Sequence, residues 1–151
     1  MKIDNRQARV LLVDDNPLNM QVAGRALQKE GYDLHIVGSG SAALELIKKM
    51  DFDLILMDIM MPHMDGFETY GEIKQIKNCE HIPLIFLTAR TDIESVVRGF
   101  ELGAVDYIRK PFNELEMKAR VKTHVELKKI REELEQKNQR LKEAYEQLEI
   151  V

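Results

Sequence analysis

The sequence is poor in several features that would indicate particular classes of protein. It has a single cysteine, Cys79, among 151 residues, so a disulfide framework within one chain is impossible. No apolar run approaches the roughly 20 residues of a membrane span, and the first ten residues lack the apolar core of a signal peptide. The net charge is −4 without a basic block, so nucleic acid is not an expected direct ligand. These absences predict a cytoplasmic protein with no membrane segment.

Hydrophobic residues make up 44% of the chain and are grouped in a regular order. Five short apolar runs begin near residues 9, 34, 53, 83 and 104, and they read RVLLV, LHIV, DLILM, PLIFL and AVDYI. Between them lie stripes at helical spacing: Met20, Ala23 and Leu27; Ala43, Leu46, Ile47 and Met50; Ile93, Val96, Val97 and Phe100. Strands that alternate with helices predict βαβ units and a parallel sheet.

The residues that flank these elements agree with this pattern. Asn16 and Pro17 are typical of an N-cap followed by the first helical position, and Gly31 and Gly103 of helix ends. Strands that are apolar at consecutive positions are typical of a sheet covered on both faces. The sequence therefore predicts a three-layer, doubly wound α/β fold with five strands.

The last quarter of the chain differs in composition. Gly103 is the last glycine and Pro111 the last proline, and Asn113 with Glu116 resembles a capping box. From Glu126 onward, 13 of 26 residues are charged. We therefore predict one long helix whose later part does not pack on the α/β core, and we divide the chain into a domain at 1–125 and a helical extension at 126–151.

Within this extension, four leucines recur every seven residues: Leu127, Leu134, Leu141 and Leu148. Such a repeat is typical of a coiled coil, and two assignments of the second row are possible. With the leucines at position d, the other row holds Arg131, Asn138 and Tyr145; with them at a, it holds Ile130, Lys137, Ala144 and Val151. A single exposed helix held by Glu–Lys pairs is the alternative. We favour a parallel homodimer.

Polar residues follow four of the five predicted strands. They are Asp14 and Asp15, then Asp58, then Thr88 with Ala89, and finally Lys110 with Pro111. Because ligands of open parallel sheets sit at the carboxyl ends of the strands, we expect these residues to converge on one rim. The Asp-Asp pair alone would be more typical of a turn or helix cap. Three carboxylates that repel one another favour a bound divalent cation, and oxygen ligands suit Mg²⁺.

A lysine and a threonine hydroxyl beside a metal-bound carboxylate indicate phosphoryl chemistry. No histidine or cysteine is placed to act as the nucleophile, and the four histidines lack the spacing of zinc ligands. Cys79 lies in a polar stretch and has no evident role. A carboxylate can itself accept a phosphoryl group. Asp58 precedes the loop IMMPHMDG and is the natural acceptor.

Four stretches carry a family resemblance: LLVDDNPLN, DLILMDIMMPHMDGFE, IPLIFLTAR and GAVDYIRKPF, within residues 8 to 125. They resemble the receiver domain of two-component response regulators. The resemblance implies a flavodoxin-like strand order of 2-1-3-4-5. It also implies that a histidine kinase or phosphotransfer protein phosphorylates Asp58. Many relatives carry glutamate at position 14, where this chain has aspartate.

The resemblance also assigns roles around the acceptor. It implies direct Mg²⁺ ligation by Asp15, Asp58 and the Met60 backbone carbonyl, with Asp14 acting through water. It implies Thr88, Ala89 and Lys110 as phosphate contacts, Thr88 and Tyr107 as the switch pair, and a cis bond before Pro111. We expect the helical extension to lead to an output module or to be the output itself.

The resemblance implies a phosphorylation-operated signalling switch, and we compare two other functions with it. A haloacid-dehalogenase-type phosphatase has a second aspartate two residues after its nucleophile, and Met60 occupies that position here. A flavodoxin-like mononucleotide binder needs a phosphate loop rich in Gly, Ser or Thr, whereas DDNPLN is acidic. We therefore predict a domain that catalyses only its own phosphorylation and dephosphorylation.

Overall fold

The structure is a computed structural model that describes residues 7–89 and 92–150. Strands and helices alternate along the whole of this range. The elements are β1 (Arg9–Val13), α1 (Pro17–Lys29), β2 (Asp33–Val37), α2 (Gly40–Lys49), β3 (Leu54–Asp58), α3 (Gly66–Ile73), β4 (Leu84–Thr88), α4 (Ile93–Leu102), β5 (Asp106–Arg109) and α5 (Glu114–Ile150).

The five strands form one parallel sheet in the order β2-β1-β3-β4-β5. Neighbouring strands end together, since Val13 lies opposite Met57, and Asp58 lies opposite Leu87. The predicted doubly wound fold and its strand order are confirmed. The reversal between β1 and β3 places the loops after these two strands side by side, which is where ligands bind in such sheets.

The sheet separates two hydrophobic clusters, so its central strands are buried on both faces. Leu11, Ile55 and Phe86 lie in the cluster that also contains residues of α2 and α3. Leu12 and Leu56, one position along, lie in the cluster with α1 and α5. Because successive strand residues point to opposite faces, this explains why the strands are apolar at consecutive positions.

The helix ends follow the predicted signals. Asn16 Oδ1 accepts hydrogen bonds from the backbone N–H groups of Leu18 and Asn19, at 2.9 and 3.3 Å, and Pro17 is the first helical residue. Gly31 and Gly103 have φ angles of +85° and +111°, in the left-handed region that favours glycine.

Helix α3 was not among the predicted stripes. It has only eight residues and begins at the N-cap Asp65. Its buried side chains include Phe67, Tyr70 and Ile73, which are three residues apart. A helix this short gives too few repeats for its period to stand out.

Helix α4 forms where predicted, but its apolar stripe does not face the core. The side chains of Ile93, Val97 and Phe100 are 79%, 45% and 48% exposed, and the buried residue of this helix is Gly99.

Helix α5 is one continuous helix of 37 residues. It packs on the sheet through Met117, Val121 and Val125. Farther along, Lys128 reaches the start of β3, where its Nζ lies 3.3 Å from Asp53 Oδ1. The side chains of residues 129–149 are all exposed. Within the described part of the chain, no helix has both the length and the apolar character to cross a membrane.

The predicted capping box at the start of α5 is half formed. Asn113 Oδ1 accepts the Glu116 backbone N–H at 3.0 Å. The Glu116 carboxylate instead accepts a hydrogen bond from Arg120 Nε at 3.1 Å. Arg120, one turn along the helix, thus binds the Glu116 carboxylate. In a complete capping box that carboxylate would accept the backbone N–H of the N-cap residue Asn113.

Candidate active site

Three carboxylates lie together at the carboxyl edge of the sheet. Asp14 and Asp15 follow β1, Asp58 ends β3, and one carboxylate oxygen of each lies within 4.8 Å of the others. Asp14 and Asp58 are buried, at 0% and 3% exposure, whereas Asp15 is exposed. The adjacency of β1 and β3 therefore accounts for a cluster in which Asp58 meets two residues that precede it by more than 40 positions.

Lys110 supplies the positive charge of this cluster. Its Nζ lies 3.0 Å from Asp58 Oδ1 and 3.2 Å from Asp14 Oδ2. Its backbone N–H donates to the Thr88 carbonyl at 2.9 Å, which ties the loop after β5 to the end of β4. The Lys110–Pro111 peptide bond is cis. Lys110 pairs with two of the three carboxylates and supplies a single positive charge, so the cluster keeps a negative charge.

Burial raises the pKa of Asp58 to about 6. The hydrogen bond from Lys110 acts against this effect and the charge of Asp14 adds to it. A buried carboxylate next to another one is stabilised in its protonated form until a cation neutralises the pair. The ionised form that can act as a nucleophile is therefore favoured by any cation held at this edge.

Asp14 provides an independent indication of a cation. Its Oδ1 accepts the Asn16 backbone N–H at 2.9 Å. Its Oδ2 is buried and makes no hydrogen bond within the described residues, and its contact with Lys110 is an ion pair without hydrogen-bond geometry. Buried polar oxygens normally have a partner. A buried carboxylate oxygen that has an ion pair but no hydrogen bond, among other hard oxygen donors, fits a divalent cation such as Mg²⁺.

The loop after β3 is held close beneath Asp58. The Met60 backbone N–H lies 3.3 Å from Asp58 Oδ1, and the Gly66 N–H donates to the Ile59 carbonyl at 2.8 Å. A Cβ atom at Gly66 would lie 2.3 Å from the Asp58 carbonyl oxygen. Gly66 is thus a site residue that the sequence reasoning missed. Its signal was the Asp-Gly pair at the end of the loop.

Thr88 and Tyr107 lie on the β4–β5 side of the site. Thr88 is the last residue of β4 and is buried, and Ala89 follows it at the surface. The Tyr107 hydroxyl donates to the Ser95 carbonyl at 2.8 Å, with the Val96 carbonyl at 3.2 Å. A cavity of about 230 Å³ is lined by both Thr88 and Tyr107. Tyr107 therefore points to α4, away from the carboxylates.

The raised pKa of Asp58 gives a testable pH dependence. The folded pKa of about 6 lies above the ordinary value of 3.8. Ionising Asp58 therefore lowers the free energy of unfolding as the pH rises from about 4 to above 6. Asp58→Asn removes this penalty. It should stabilise the protein by about 2–3 kcal/mol at pH 8 and have little effect at pH 4. Urea unfolding in EDTA at both pH values measures this, and a pH-independent difference would contradict it.

Comparison with known proteins agrees with this geometry. Residues 10–122 match the family model of the response regulator receiver domain, and the chain belongs to this family. The chemotaxis response regulator CheY4 of Vibrio cholerae superposes with a TM-score of 0.75 at 31% identity, over 79% of this chain and 99% of that one. The receiver domain of a sensor histidine kinase from Pseudomonas aeruginosa gives 0.74 at 31% identity, covers 80% and 98%, and holds a magnesium ion in its active-site cleft.

Longer proteins also contain a similar segment. A probable cyclic di-GMP phosphodiesterase of Vibrio cholerae is 41% identical over 135 residues, which are 89% of this chain and 30% of that protein. The DNA-binding response regulator MtrA of Mycolicibacterium smegmatis is 37% identical over 123 residues, which are 82% of this chain and 53% of MtrA. The chain thus spans about half or less of the length of these relatives.

Proposed function

We propose that this receiver domain is a phosphorylation-operated switch with Asp58 as the acceptor. The observation that carries the proposal is the buried Asp58 carboxylate, paired with Lys110 at 3.0 Å within an acidic cluster. The phosphodonor is a phosphohistidine of a histidine kinase or phosphotransfer protein. An Asp58 oxygen attacks phosphorus, the P–N bond breaks, and the imidazole leaves and takes up a proton.

The charges of the site define the roles of its other residues. Asp15, Asp58 and the Met60 backbone carbonyl would hold Mg²⁺, with Asp14 acting through water. The metal ion would neutralise the carboxylates and the incoming phosphoryl oxygens. Lys110 stays within reach of the new phosphoryl group from its present position beside Asp58. The Thr88 hydroxyl and the Ala89 backbone N–H complete the set of phosphate contacts.

Turnover of other substrates is not part of this proposal. Met60 stands two residues after Asp58, where a dehalogenase-type phosphatase would have its acid–base carboxylate, and its side chain is 58% exposed. The activity in the name of the Vibrio phosphodiesterase belongs to a protein of which this chain covers 30%. The predictions of a cytoplasmic location and of no direct nucleic-acid binding stay predictions.

We propose that Thr88 couples the phosphoryl group to Tyr107. Thr88→Ala should still accept a phosphoryl group from acetyl phosphate but should lose the rearrangement of Tyr107. The variant lacks the Thr88 hydroxyl group, which would otherwise move toward the phosphoryl group. Fluorine NMR of fluorotyrosine-labelled protein with beryllofluoride and Mg²⁺ measures this. Thr123→Ala, at an exposed position of α5, is the control. An unchanged Tyr107 response in Thr88→Ala would exclude Thr88 as the coupling residue.

We also propose that the extension pairs two chains as a parallel coiled coil. Its four repeated leucines are 47–71% exposed in the single chain. Ile130, which completes the row if the leucines occupy a, and Tyr145, which does so if they occupy d, are also exposed, at 52% and 61%. Burying this stripe against a second copy would remove the largest apolar surface of the helix from water.

The direction of the stripe relative to the receiver favours such a pair. Lys128 faces the sheet through its contact with Asp53. At 3.6 residues per turn, Leu134 and Leu141 project about 120° and 140° away from Lys128. Two copies can therefore join their stripes while each receiver lies on the outside of the coil. Phosphorylation at Asp58 would reach the coil through the packing of α5 on the sheet, and from there an output module or partner.

A further inference from the structure

The Tyr107 ring packs against α4 in a position that we call its seat. Its hydroxyl donates to the first turn of the helix, at the carbonyls of Ser95 and Val96. Its ring contacts Phe86 with centroids 5.7 Å apart and Phe100 with centroids 5.2 Å apart. Polar and aromatic contacts thus hold the ring on one side of the helix.

Gly99 of α4 lies directly against the Tyr107 ring in this seat. A Cβ atom at this position would lie 1.9 Å from the Tyr107 hydroxyl oxygen and 2.8 Å from Cζ of the same ring. It would also lie 3.0 Å from Cδ2 of Phe86. Any side chain at position 99 therefore overlaps the present position of the Tyr107 ring. Glycine in the middle of a helix is less favourable than alanine, and the short distances to Tyr107 and Phe86 give its presence here a packing reason.

We propose that Gly99 is a positioning residue that permits the seated state of Tyr107 and so sets the balance of the switch. The effect of Gly99 on the switch rests on the proposed function. The position of the Tyr107 ring against Gly99 rests on geometry alone. The atoms that a Cβ would meet most closely are at the far end of the Tyr107 side chain. Since such a side chain rotates more easily than a helix backbone moves, a larger residue at 99 displaces the ring.

Space for a displaced ring lies next to its present position. The cavity of about 230 Å³ beside the seat is lined by Thr88, Val96, Tyr107 and Arg109, among others. The observed position of the ring is the one on Gly99, and we infer a second position in this space, toward Thr88. Closing the first position shifts the population to the second without any phosphoryl group. Gly99 therefore links the position of Tyr107 to α4 as Thr88 links it to the acceptor.

The test is fluorine NMR of the full chain labelled with fluorotyrosine, in which Tyr107→Phe assigns one of four resonances. Gly99→Ala should move the Tyr107 resonance before any phosphate analogue is added, and it should abolish most of the further shift caused by beryllofluoride with Mg²⁺. Gly71→Ala is the matched control, because it lies within α3 and a Cβ atom there meets nothing within 4 Å. It should leave both resonance and shift unchanged.

The outcomes are distinct. If Gly99→Ala has the wild-type Tyr107 resonance, Gly99 does not set the position of the ring. If the ring is displaced but beryllofluoride still causes the full wild-type shift, the position of the ring on Gly99 is not coupled to phosphorylation. If Gly99→Ala does not fold, adding Tyr107→Ala should restore folding, and failure to do so overturns the proposal. If the wild-type chain does not respond to beryllofluoride, the proposed switch is contradicted instead. The Tyr107 resonance of Gly99→Ala without beryllofluoride still shows whether Gly99 sets the position of the ring.

Discussion

Asp58→Asn should lower phosphorylation by acetyl phosphate by about a thousandfold or more, because removal of the nucleophile is among the largest single losses in catalysis. The amide is neither a nucleophile nor an anionic metal ligand. The variant should stay folded, since it removes a buried charge whose ionisation opposes folding. Intact-mass spectrometry during incubation with acetyl phosphate and Mg²⁺ measures the rate.

Asp65→Asn provides the matched control for this prediction. Asp65 lies in the same loop and caps α3, where its Oδ1 accepts the Glu68 backbone N–H at 2.8 Å. Asparagine caps helices as well as aspartate does, so this variant should be phosphorylated at the wild-type rate. Phosphorylation of Asp58→Asn at that same rate would show that the acceptor is another residue.

Leu134→Glu combined with Leu141→Glu should convert the proposed dimer into a monomer. The dimer would lose four buried leucines. At about 1.5 kcal/mol each this amounts to about 6 kcal/mol, or more than a 10⁴-fold rise in Kd. Sedimentation velocity of the full chain, with and without beryllofluoride, measures the change. The unmodified chain should sediment as a dimer at high micromolar concentration.

The control for this experiment places one glutamate on the other side of the helix. Gln139 follows Lys128 by 11 residues and therefore projects within about 20° of it, on the side that faces away from the leucines. Gln139→Glu should leave the dimer intact. If the unmodified chain is a monomer at high micromolar concentration in both states, the coiled-coil proposal is wrong.

The elements that the sequence predicted well are those with a strong local signal. β3 and β4 are buried at every residue, so their apolar runs stood out. The caps at Asn16 and Gly103 depend on the chemistry of single residues and were visible for the same reason. The carboxylate cluster could be predicted because the carboxyl ends of parallel strands share one edge of the sheet.

The features that escaped prediction depend on contacts between different elements of the fold. Cys79 lies in a polar stretch, yet it is only 9% exposed and belongs to the cluster that contains Phe86. The ion pair of Lys128 with Asp53 joins residues 75 apart. Gly99 matters only because the Tyr107 ring from β5 lies over it. No pattern within one segment carries such information.

Peptide mapping after borohydride reduction tests directly whether Asp58 accepts a phosphoryl group in a Mg²⁺-dependent reaction. The unmodified chain is incubated with acetyl phosphate in Mg²⁺ or in EDTA, reduced with borohydride, and digested for peptide mapping. Reduction converts an aspartyl phosphate into homoserine. We expect homoserine at position 58 in Mg²⁺ and none in EDTA. Homoserine at another position, or equal amounts in both conditions, would contradict it.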